Sequence, residues 1–232
     1  KIHPRPLSHP DNPHGSINGR PVRSNHEWPR KSPRTNTSAY NAKMPLDPAK
    51  YRNRLLIADG DLHGELIARG WRQPDFCEAA NLERPEWVRD VAEAFLDAGA
   101  EVLVTNTDAA NPLAPAQRPE IKSLTPERIA QMCRRGAEIA RQAVSEFPAE
   151  DRHVFGAIGP VPQLLMLGEV SENDLAAAYT NQAKALADGG VDAILCRGFI
   201  ELAALQIAVR AARITSLPVI ATMAFDCGAD QT

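Results

Sequence analysis

The fold of this chain is decided by the segment Arg54-Leu-Leu-Ile-Ala-Asp-Gly-Asp-Leu-His-Gly-Glu-Leu-Ile-Ala-Arg-Gly70. Its apolar run, residues 55–58, ends on Asp59-Gly60, and a compact helical segment follows that is closed by Gly70. This pattern is typical of a buried parallel strand that delivers polar groups at its C-terminal end. The segment therefore predicts a β-α unit with Asp59 and Gly60 where the strand ends.

The same unit repeats along the rest of the chain. Capping residues and N1 prolines predict helix starts at Pro85, at Thr125-Pro126 and at Ser171. Four further strands are predicted, at residues 101–107, 153–159, 191–196 and 219–225. Alternation of this kind, without a hairpin signal, predicts an α/β fold with a parallel sheet and right-handed crossovers. It leaves an open doubly wound sheet or a closed barrel, and the count of five strands favours the open sheet.

Residues 1–50 differ from the rest of the chain. They hold nine of the nineteen prolines and four of the six histidines, with almost no apolar periodicity. Such a segment cannot bury enough surface to offset its ordering entropy, so a disordered leader rich in Pro, His and Arg is predicted. Met44 lies just before the first predicted strand and is expected to be the natural start. Residues 1–43 would then be a leader, a cloning remnant or mis-assigned coding sequence.

The composition excludes several classes of protein. With 26 basic and 29 acidic residues the net charge is −3, so neither nucleic acid nor an anionic membrane surface is expected as a partner. No apolar run approaches the length of a membrane span. The four cysteines are widely spaced and form no CxxC pair, which argues against a disulfide framework and for a reducing cytoplasm. They are Cys77, Cys133, Cys196 and Cys227.

Polar residues follow all five predicted strands. In either architecture a ligand binds at the carboxyl ends of the strands, so these residues are expected to form one pocket. They are Asp59-Gly60, Thr105-Asn106-Thr107-Asp108, Gly159-Pro160, Arg197-Gly198 and Asp226-Cys227. The alternative is that these positions are polar only because loops are exposed. The Thr-Asn-Thr run directly after an apolar strand favours the pocket.

Other catalytic patterns have little support. Neither a dinucleotide or phosphate loop nor a Gly-x-Ser-x-Gly elbow follows a strand. His63 lies beside Asp59 and could form an acid–base pair with it in an unrelated α/β enzyme, although a single His in a turn is more often neither base nor ligand. Cys227 has no visible basic partner, so it is interpreted as an incidental thiol.

Five segments in chain order resemble motifs of the homocysteine S-methyltransferase family, which includes betaine–homocysteine methyltransferase and the homocysteine domain of methionine synthase. The family's Asp-Gly-(Gly/Ala)-Met-Gly-Thr-Glu-Leu resembles residues 59–66, and its Glu-Thr-Asn-Thr-Phe resembles residues 104–108. Its Gly-Ser-Ile-Gly-Pro resembles residues 156–160. Its Gly-Val-Asp-Leu motif, which ends in Glu-Thr, is similar to residues 190–195, and the strand that follows is similar to residues 217–226.

The resemblance implies a (β/α)8 TIM barrel, present here as an incomplete domain of about five β/α units in residues 51–232. It implies methyl transfer from a methyl donor to a thiol, converting homocysteine to methionine. Family enzymes hold the substrate thiolate on a zinc bound by three cysteines, because zinc lowers the thiol pKa. The substrate pocket would be lined by Asp59, Gly60, Thr105, Asn106, Thr107 and Arg197.

The chain departs from the family at several positions. Arg197 stands where the family has a glutamate that holds the substrate ammonium, and a cation there is expected to repel that group. The family's zinc cysteines would lie beyond Thr232, and Cys227 comes too early to be one of them, so no zinc site is expected within this chain. His63 and Asp61 replace small residues of the first motif, and Val104 replaces an acidic residue.

Two functions follow from these observations. The first is a homocysteine S-methyltransferase-like enzyme whose partners are an amino-acid thiol and a methyl donor. The second is a non-catalytic pseudoenzyme or binding module of the same fold, indicated by Arg197 and the missing zinc cysteines. Nothing in the residues points to a particular methyl donor, to folate or cobalamin, or to an oligomeric state.

Overall fold

The structure, a computed structural model, describes residues 46–72, 76–113, 125–147, 151–161, 168 and 170–225. These residues lie within one compact unit, Asn36–Thr232. Most of the predicted leader, including Met44, lies outside the described residues. Its last five residues, 46–50, are described, and Leu46 is buried.

Helices and strands alternate through the described ranges. The helices are α1 (Leu62–Ala68), α2 (Ala80–Glu83), α3 (Pro85–Asp97), α4 (Pro126–Glu146), α5 (Glu172–Asp188) and α6 (Leu202–Ala212). The strands are β1 (Val102–Val104), β2 (His153–Ile158), β3 (Ala193–Phe199) and β4 (Val219–Met223). Short 3-10 turns cover Pro48–Tyr51, Cys77–Ala79 and Arg213–Thr215.

Local signals set the helix ends as the sequence predicts. The Thr125 side chain accepts a hydrogen bond from the Arg128 amide at the start of α4. Ser171 accepts from the Asp174 amide, which caps α5, and its hydroxyl donates to the Asp174 carboxylate instead of leaving that carboxylate to the Ser171 amide as in a capping box. Beyond the end of α3, Gly99 has a φ of +105°, a conformation that glycine adopts without strain.

The sheet is parallel, and its strand order is β1-β2-β3-β4. Each of the helices α3 to α6 packs against the next, so these helices form one layer on one face of the sheet. A doubly wound sheet would instead reverse its strand order at a switch point. The preference for an open doubly wound sheet that rests on strand count is therefore wrong, and the α/β fold implied by the family resemblance is confirmed.

The first predicted strand, residues 55–58, is reduced to a single parallel bridge between Ala58 and Val102. The Asp59 amide donates to the Val102 carbonyl at 2.9 Å, so this segment still lies beside β1. Leu55 is 89% exposed and Ile57 is 61% exposed. These apolar side chains do not contribute the burial that stabilises a longer strand, which explains the short pairing.

The two faces of the sheet carry separate apolar clusters. The larger cluster packs the helices against residues such as Leu103, Val154 and Ile194. The smaller one lies on the opposite face, where Val102 and Phe155 pack with Leu46, Ala193, Tyr51 and Leu56. Residues between Leu46 and Leu56 therefore cover the face of the sheet opposite the helices. None of the described helices has the length and apolarity that crossing a membrane requires.

Candidate functional site

An open cleft of about 80 Å³ lies at the carboxyl ends of the first strands. It is formed where the first bridge, β1 and β3 end, together with the start of α1. Its lining is mainly polar and charged. The lining residues are Asp59, Gly60, Asp61, Leu62, His63, Val104, Thr105, Asn106, Asp108 and Arg197.

Asp59 is placed by the backbone of β1. Its Oδ2 accepts a hydrogen bond from the Val104 amide at 2.8 Å. Burial raises the pKa of Asp59 to about 6, although the Val104 hydrogen bond and the charge of Arg197 oppose this shift. The pKa of this carboxyl at the wall of the cleft therefore lies closer to neutral pH than that of an ordinary aspartate.

Gly60 follows Asp59 and lies close to the side chain of Phe95. A Cβ at this position would lie 2.9 Å from Cε1 of Phe95, which projects from α3. That separation is shorter than real carbon contacts. The glycine therefore lets the first turn of the cleft lie directly on the α3 side chain.

Arg197 lies inside β3, whereas the sequence places it after the strand. β3 extends to Phe199, and its register with β4 shifts between Cys196 and Phe199. Gly198, within this irregular stretch, has a φ of +73°. Such an irregularity re-aims side chains at a strand end, and here Arg197 lines the cleft.

Arg197 forms an ion pair with Asp108. Its Nε donates to Oδ2 of Asp108 at 2.7 Å, and its Nη2 contacts the same oxygen. Burial raises the pKa of Asp108, and the guanidinium charge and hydrogen bond oppose the shift. Oδ1 of Asp108 is buried and has no hydrogen-bond partner within the described ranges. One oxygen of this carboxylate is therefore paired with Arg197, and the other is enclosed without a hydrogen-bond partner among the described residues.

The two threonine hydroxyls after β1 join it to β2. The Thr107 hydroxyl donates to the Ala157 carbonyl at 2.8 Å, and the Thr105 hydroxyl accepts from the Ala157 amide at 2.9 Å. The hydroxyls lie 2.6 Å apart, so Thr105 donates its proton to Thr107. Both groups therefore have a structural role, and Thr107 is fully buried behind the cleft.

Asn106 belongs to a network of buried amides. Its Nδ2 donates to the Cys77 carbonyl at 2.7 Å and to Oδ1 of Asn81 at 3.2 Å. Nδ2 of Asn81 donates in turn to the carbonyls of Asn106 and Met132. These bonds fix the orientation of both amides, which leaves Oδ1 of Asn106 as an acceptor facing His63 at 3.2 Å.

His63 pairs with a carboxylate that sequence reasoning missed. Its Nε2 lies 4.0 Å from Oε1 of Glu78, whose side chain is 1% exposed. The predicted acid–base pair joined His63 to Asp59, whereas the structure places His63 against Asn106 and Glu78. Glu78 lies in a short 3-10 turn before α2 and follows no strand, so no local pattern marks it as a site residue.

The structure brings together most of the predicted site. Five of the six residues predicted to bind the substrate line the cleft, namely Asp59, Gly60, Thr105, Asn106 and Arg197. Thr107 lies behind it, and Gly159 contributes its amide to the Asp108 carbonyl at 3.0 Å. Asp226 and Cys227 lie outside the described residues.

The described cysteines do not fit a zinc site. Cys77, Cys133 and Cys196 are all buried. Burial raises the pKa of Cys133, and it raises that of Cys196 to about 11, so these thiols resist forming the thiolates that bind zinc. Within the described ranges there is also no group of three His, Cys, Asp or Glu residues that could hold a metal.

Comparison with known proteins gives a consistent result. The sequence profile described as homocysteine S-methyltransferase matches residues 56–232. Methionine synthase of Mycobacterium tuberculosis is 32% identical over 168 residues, which cover 69% of this chain and 14% of that protein. Methionine synthase of Mycobacterium leprae is 30% identical over 168 residues, with the same shares of the two chains.

Solved structures of one enzyme share the fold. The oxidized form of the homocysteine methyltransferase MmuM from Escherichia coli has a TM-score of 0.61 at 25% identity, over 77% of this chain and 66% of that chain. Its metallated form has a TM-score of 0.62 at 24% identity, over 77% and 65%. This chain therefore spans 14% of the length of the two methionine synthases and 65–66% of MmuM.

Proposed function

Because the chain belongs to the homocysteine S-methyltransferase family, we propose that it forms part of an enzyme that methylates the thiol of homocysteine to give methionine. In this reaction the bond between sulfur and the methyl carbon forms, the bond between the methyl group and its donor breaks, and the thiol loses its proton. The observation that carries the proposal is the convergence of Asp59, Asn106 and Arg197, from three separated motifs, on one cleft. The full closed barrel remains part of the proposal.

The charges of the cleft suit an α-amino acid. The Nε and Nη2 atoms of Arg197 both contact Asp108, whereas its Nη1 makes no hydrogen bond with the described residues. We propose that these remaining donors bind the substrate carboxylate, which a planar guanidinium recognises well. The Asp59 carboxylate, which lines the cleft, would then accept hydrogen bonds from the ammonium.

This arrangement changes the expected effect of Arg197. A lone cation in place of the family's glutamate would repel the substrate ammonium, but Asp108 pairs with this cation. Asp108 stands where the family motif has phenylalanine, and Arg197 stands where it has glutamate. These two residues contact each other. The cleft therefore still contains a carboxylate at this place, which comes from the segment after β1 and not from β3.

Zinc, which would supply a thiolate near neutral pH, must be held by groups other than the described cysteines. MmuM is known in a metallated form. A cytoplasmic location, an amino-acid thiol as substrate and an unidentified methyl donor complete the proposal.

The test uses the full-length gene product. We expect homocysteine methylation with one of a panel of methyl donors, and stoichiometric zinc by elemental analysis. Calorimetry should show homocysteine binding, weakened in Asp59→Asn by about tenfold, because one charge-assisted hydrogen bond is lost. A protein that is inactive and shows no heat with homocysteine, yet binds acidic small molecules, would support the non-catalytic alternative instead.

The role of Arg197 has its own test. Arg197→Gln should weaken homocysteine binding by about 10- to 100-fold, because the carboxylate loses a charged donor. Its affinity for 3-mercaptopropylamine, which lacks a carboxylate, should stay unchanged. An equal loss for both ligands would show that Arg197 only holds Asp108 in place.

A further inference from the structure

Asn81, in α2, lies behind the cleft and is fully buried. Its Nδ2 donates to the backbone carbonyls of Asn106, at 2.8 Å, and of Met132, at 3.1 Å. Because these carbonyls can accept hydrogen bonds but not donate them, the amide can adopt one orientation. Oδ1 of Asn81 is therefore presented to its neighbours as an acceptor.

The orientation of Asn81 sets that of Asn106, which lines the cleft. Nδ2 of Asn106 donates to Oδ1 of Asn81 at 3.2 Å and to the Cys77 carbonyl at 2.7 Å. A flipped Asn106 amide would place its oxygen against two buried acceptors and leave both without a donor, which is costly. Oδ1 of Asn106 is therefore held on the side of His63, 3.2 Å from its Nε2. An amide oxygen accepts two hydrogen bonds, so one remains for a ligand.

Much of the backbone around Asn106 is held by other groups. The hydroxyls of Thr105 and Thr107 bond to the backbone of Ala157. Oε1 of Glu78 accepts from the Ala109 amide at 2.9 Å. These bonds hold the segment after β1 on both sides of Asn106. Removal of the Asn81 amide is therefore expected to free the Asn106 side chain and to leave the path of the backbone largely in place.

The space for Asn81 is provided by Gly136 in α4. A Cβ at Gly136 would lie 2.6 Å from Nδ2 of Asn81 and 3.0 Å from Cγ2 of Thr107. A glycine inside a helix weakens it relative to alanine. Gly136 therefore lowers the stability of α4 but leaves the room that the Asn81 amide occupies.

The cleft around Asn106 is rich in hydrogen-bond acceptors. Asp59, Asp61 and Asp108 line it, and Arg197, which also lines it, is paired with Asp108. An ammonium group has three donors, and one carboxylate such as Asp59 does not have to satisfy all of them. A fixed neutral acceptor at Asn106 therefore suits a ligand that carries an amino group.

We propose that Asn81 is a positioning residue for the substrate pocket. By fixing the amide of Asn106, it supplies an acceptor for the substrate ammonium and favours thiols that carry an amino group. The inference rests on the proposed function, because it requires an amino-acid thiol as substrate. Neither residue takes part in bond making, so their effect belongs in the KM for the thiol and not in kcat.

Asn81→Leu, made in the full-length gene product, tests the proposal. Leucine has a similar size but cannot hold the Asn106 amide. We expect affinity for homocysteine to fall about tenfold, as for the loss of one hydrogen bond to a charged group. Affinity for 4-mercaptobutanoate, which has the same thiol and carboxylate but no ammonium, should stay unchanged. Competition calorimetry measures both affinities, and any contribution common to the two thiols cancels in their ratio.

Gly136→Ala is a second variant that removes no hydrogen-bonding group. The new methyl group would displace the Asn81 amide, while alanine favours the helix. The same selective loss of homocysteine affinity is expected. This variant keeps the proposal testable if Asn81→Leu does not fold.

A double-mutant cycle shows whether Asn81 acts through Asn106. Asn106→Leu should reproduce the selective loss of homocysteine affinity. The double variant, Asn81→Leu with Asn106→Leu, should bind homocysteine no more weakly than Asn106→Leu alone.

Gln182→Leu is the matched control. Gln182 is also a buried amide behind the segment after β1, and its Nε2 donates to the Thr107 carbonyl at 2.7 Å. This variant loses a buried amide from the same segment without touching the Asn106 side chain. Its free energy of unfolding should fall, but the ratio of the two affinities should stay at the wild-type value.

Four results would overturn the inference. They are an equal loss for both thiols in Asn81→Leu, unchanged homocysteine affinity, losses that add in the double variant, and an altered ratio in Gln182→Leu. Each would leave the proposed function intact as long as the wild-type protein binds and methylates homocysteine. A wild-type protein that does not bind homocysteine would reject both.

Discussion

The Asp59 side chain accepts a hydrogen bond from the Val104 amide, but burial makes its charged form unfavourable. Its pKa rises from 3.8 to about 6 in the folded chain because the carboxylate is buried. The folded state therefore binds more protons than the unfolded state between these values. The free energy of unfolding therefore falls as the pH rises from about 4 to 6, because the buried carboxyl ionises less readily than in the unfolded chain. Above about pH 6 this destabilisation is complete and no longer changes with pH.

Asp59→Asn should remove this pH dependence. Asparagine can still accept a hydrogen bond from the Val104 amide but does not ionise. Relative to the wild type, the variant should gain stability as the pH rises from about 4 to 6, by at most about 3 kcal/mol. Urea unfolding at a series of pH values measures the difference, in which the other titrating groups cancel. A difference that is constant with pH would contradict the raised pKa.

Gly60→Ala tests the contact beneath the cleft. The new Cβ would lie 2.9 Å from the Phe95 ring, so we expect a loss of about 1–3 kcal/mol in the free energy of unfolding. In the Phe95→Leu background the same change should cost much less, because the clashing ring atoms are gone. Equal costs in both backgrounds would show that the backbone, not Phe95, requires glycine here.

At the level of single residues the sequence identified most of the cleft. Asp59, Asn106 and Arg197 were found because each follows, or lies near, the end of an apolar run. Glu78 was missed because it lies in a short turn before a helix, and its burial depends on the packing of α4 and of the segment after β1, where the Ala109 amide donates to it. Thr107 was predicted as a pocket residue, but its hydroxyl joins two strands instead.

Helix caps act at the scale of an element, and two of them can be compared. Asp61 caps α1, which carries His63, and Ser171 caps α5, which contributes no residue to the lining of the cleft. Asp61→Ala and Ser171→Ala should each lower the free energy of unfolding by about 1 kcal/mol. Only the first should also weaken homocysteine binding, because it loosens the start of α1.

Asp61→Asn completes this comparison. Asparagine is an equally good N-cap, so stability should stay close to that of the wild type. Chemical denaturation and calorimetry on the three variants give both quantities. Weak binding in Asp61→Asn would indicate that the charge of Asp61 matters, rather than its role as a cap.

The sheet has exposed apolar side chains at both of its edges. On one side Leu55 and Ile57 are 89% and 61% exposed beside the first bridge. On the other, β4 ends the strand order, and Phe225 just after it is 79% exposed. Apolar side chains at an unpaired sheet edge favour association with other chains.

We therefore expect the 232-residue chain to associate in solution or to need a partner. Leu55→Lys with Ile57→Lys should reduce light scattering and the binding of a hydrophobic dye. Ile214→Lys, at a 49% exposed residue in the turn Arg213–Thr215 and outside the sheet, serves as the control and should change neither. A wild-type chain that is monomeric and melts in one sharp transition would contradict this expectation.

The sequence by itself determined the order of strands and helices, the helix caps and the polar residues at the strand ends. These features depend on local periodicity and on contacts a few residues apart, such as Ser171 with Asp174. The same locality limits such reasoning: residues 55–58 have the composition of a strand, yet they form one bridge because pairing also requires burial.

Only the tertiary structure decided which of these residues meet. Arg197 reaches Asp108 across 89 residues of sequence, and His63 reaches Asn106 across 43. Contacts of this kind arise because parallel strands and their loops are brought to one edge of the sheet, and no local pattern encodes them. The same packing paired Arg197 with Asp108, and it placed His63 beside the buried carboxylate of Glu78.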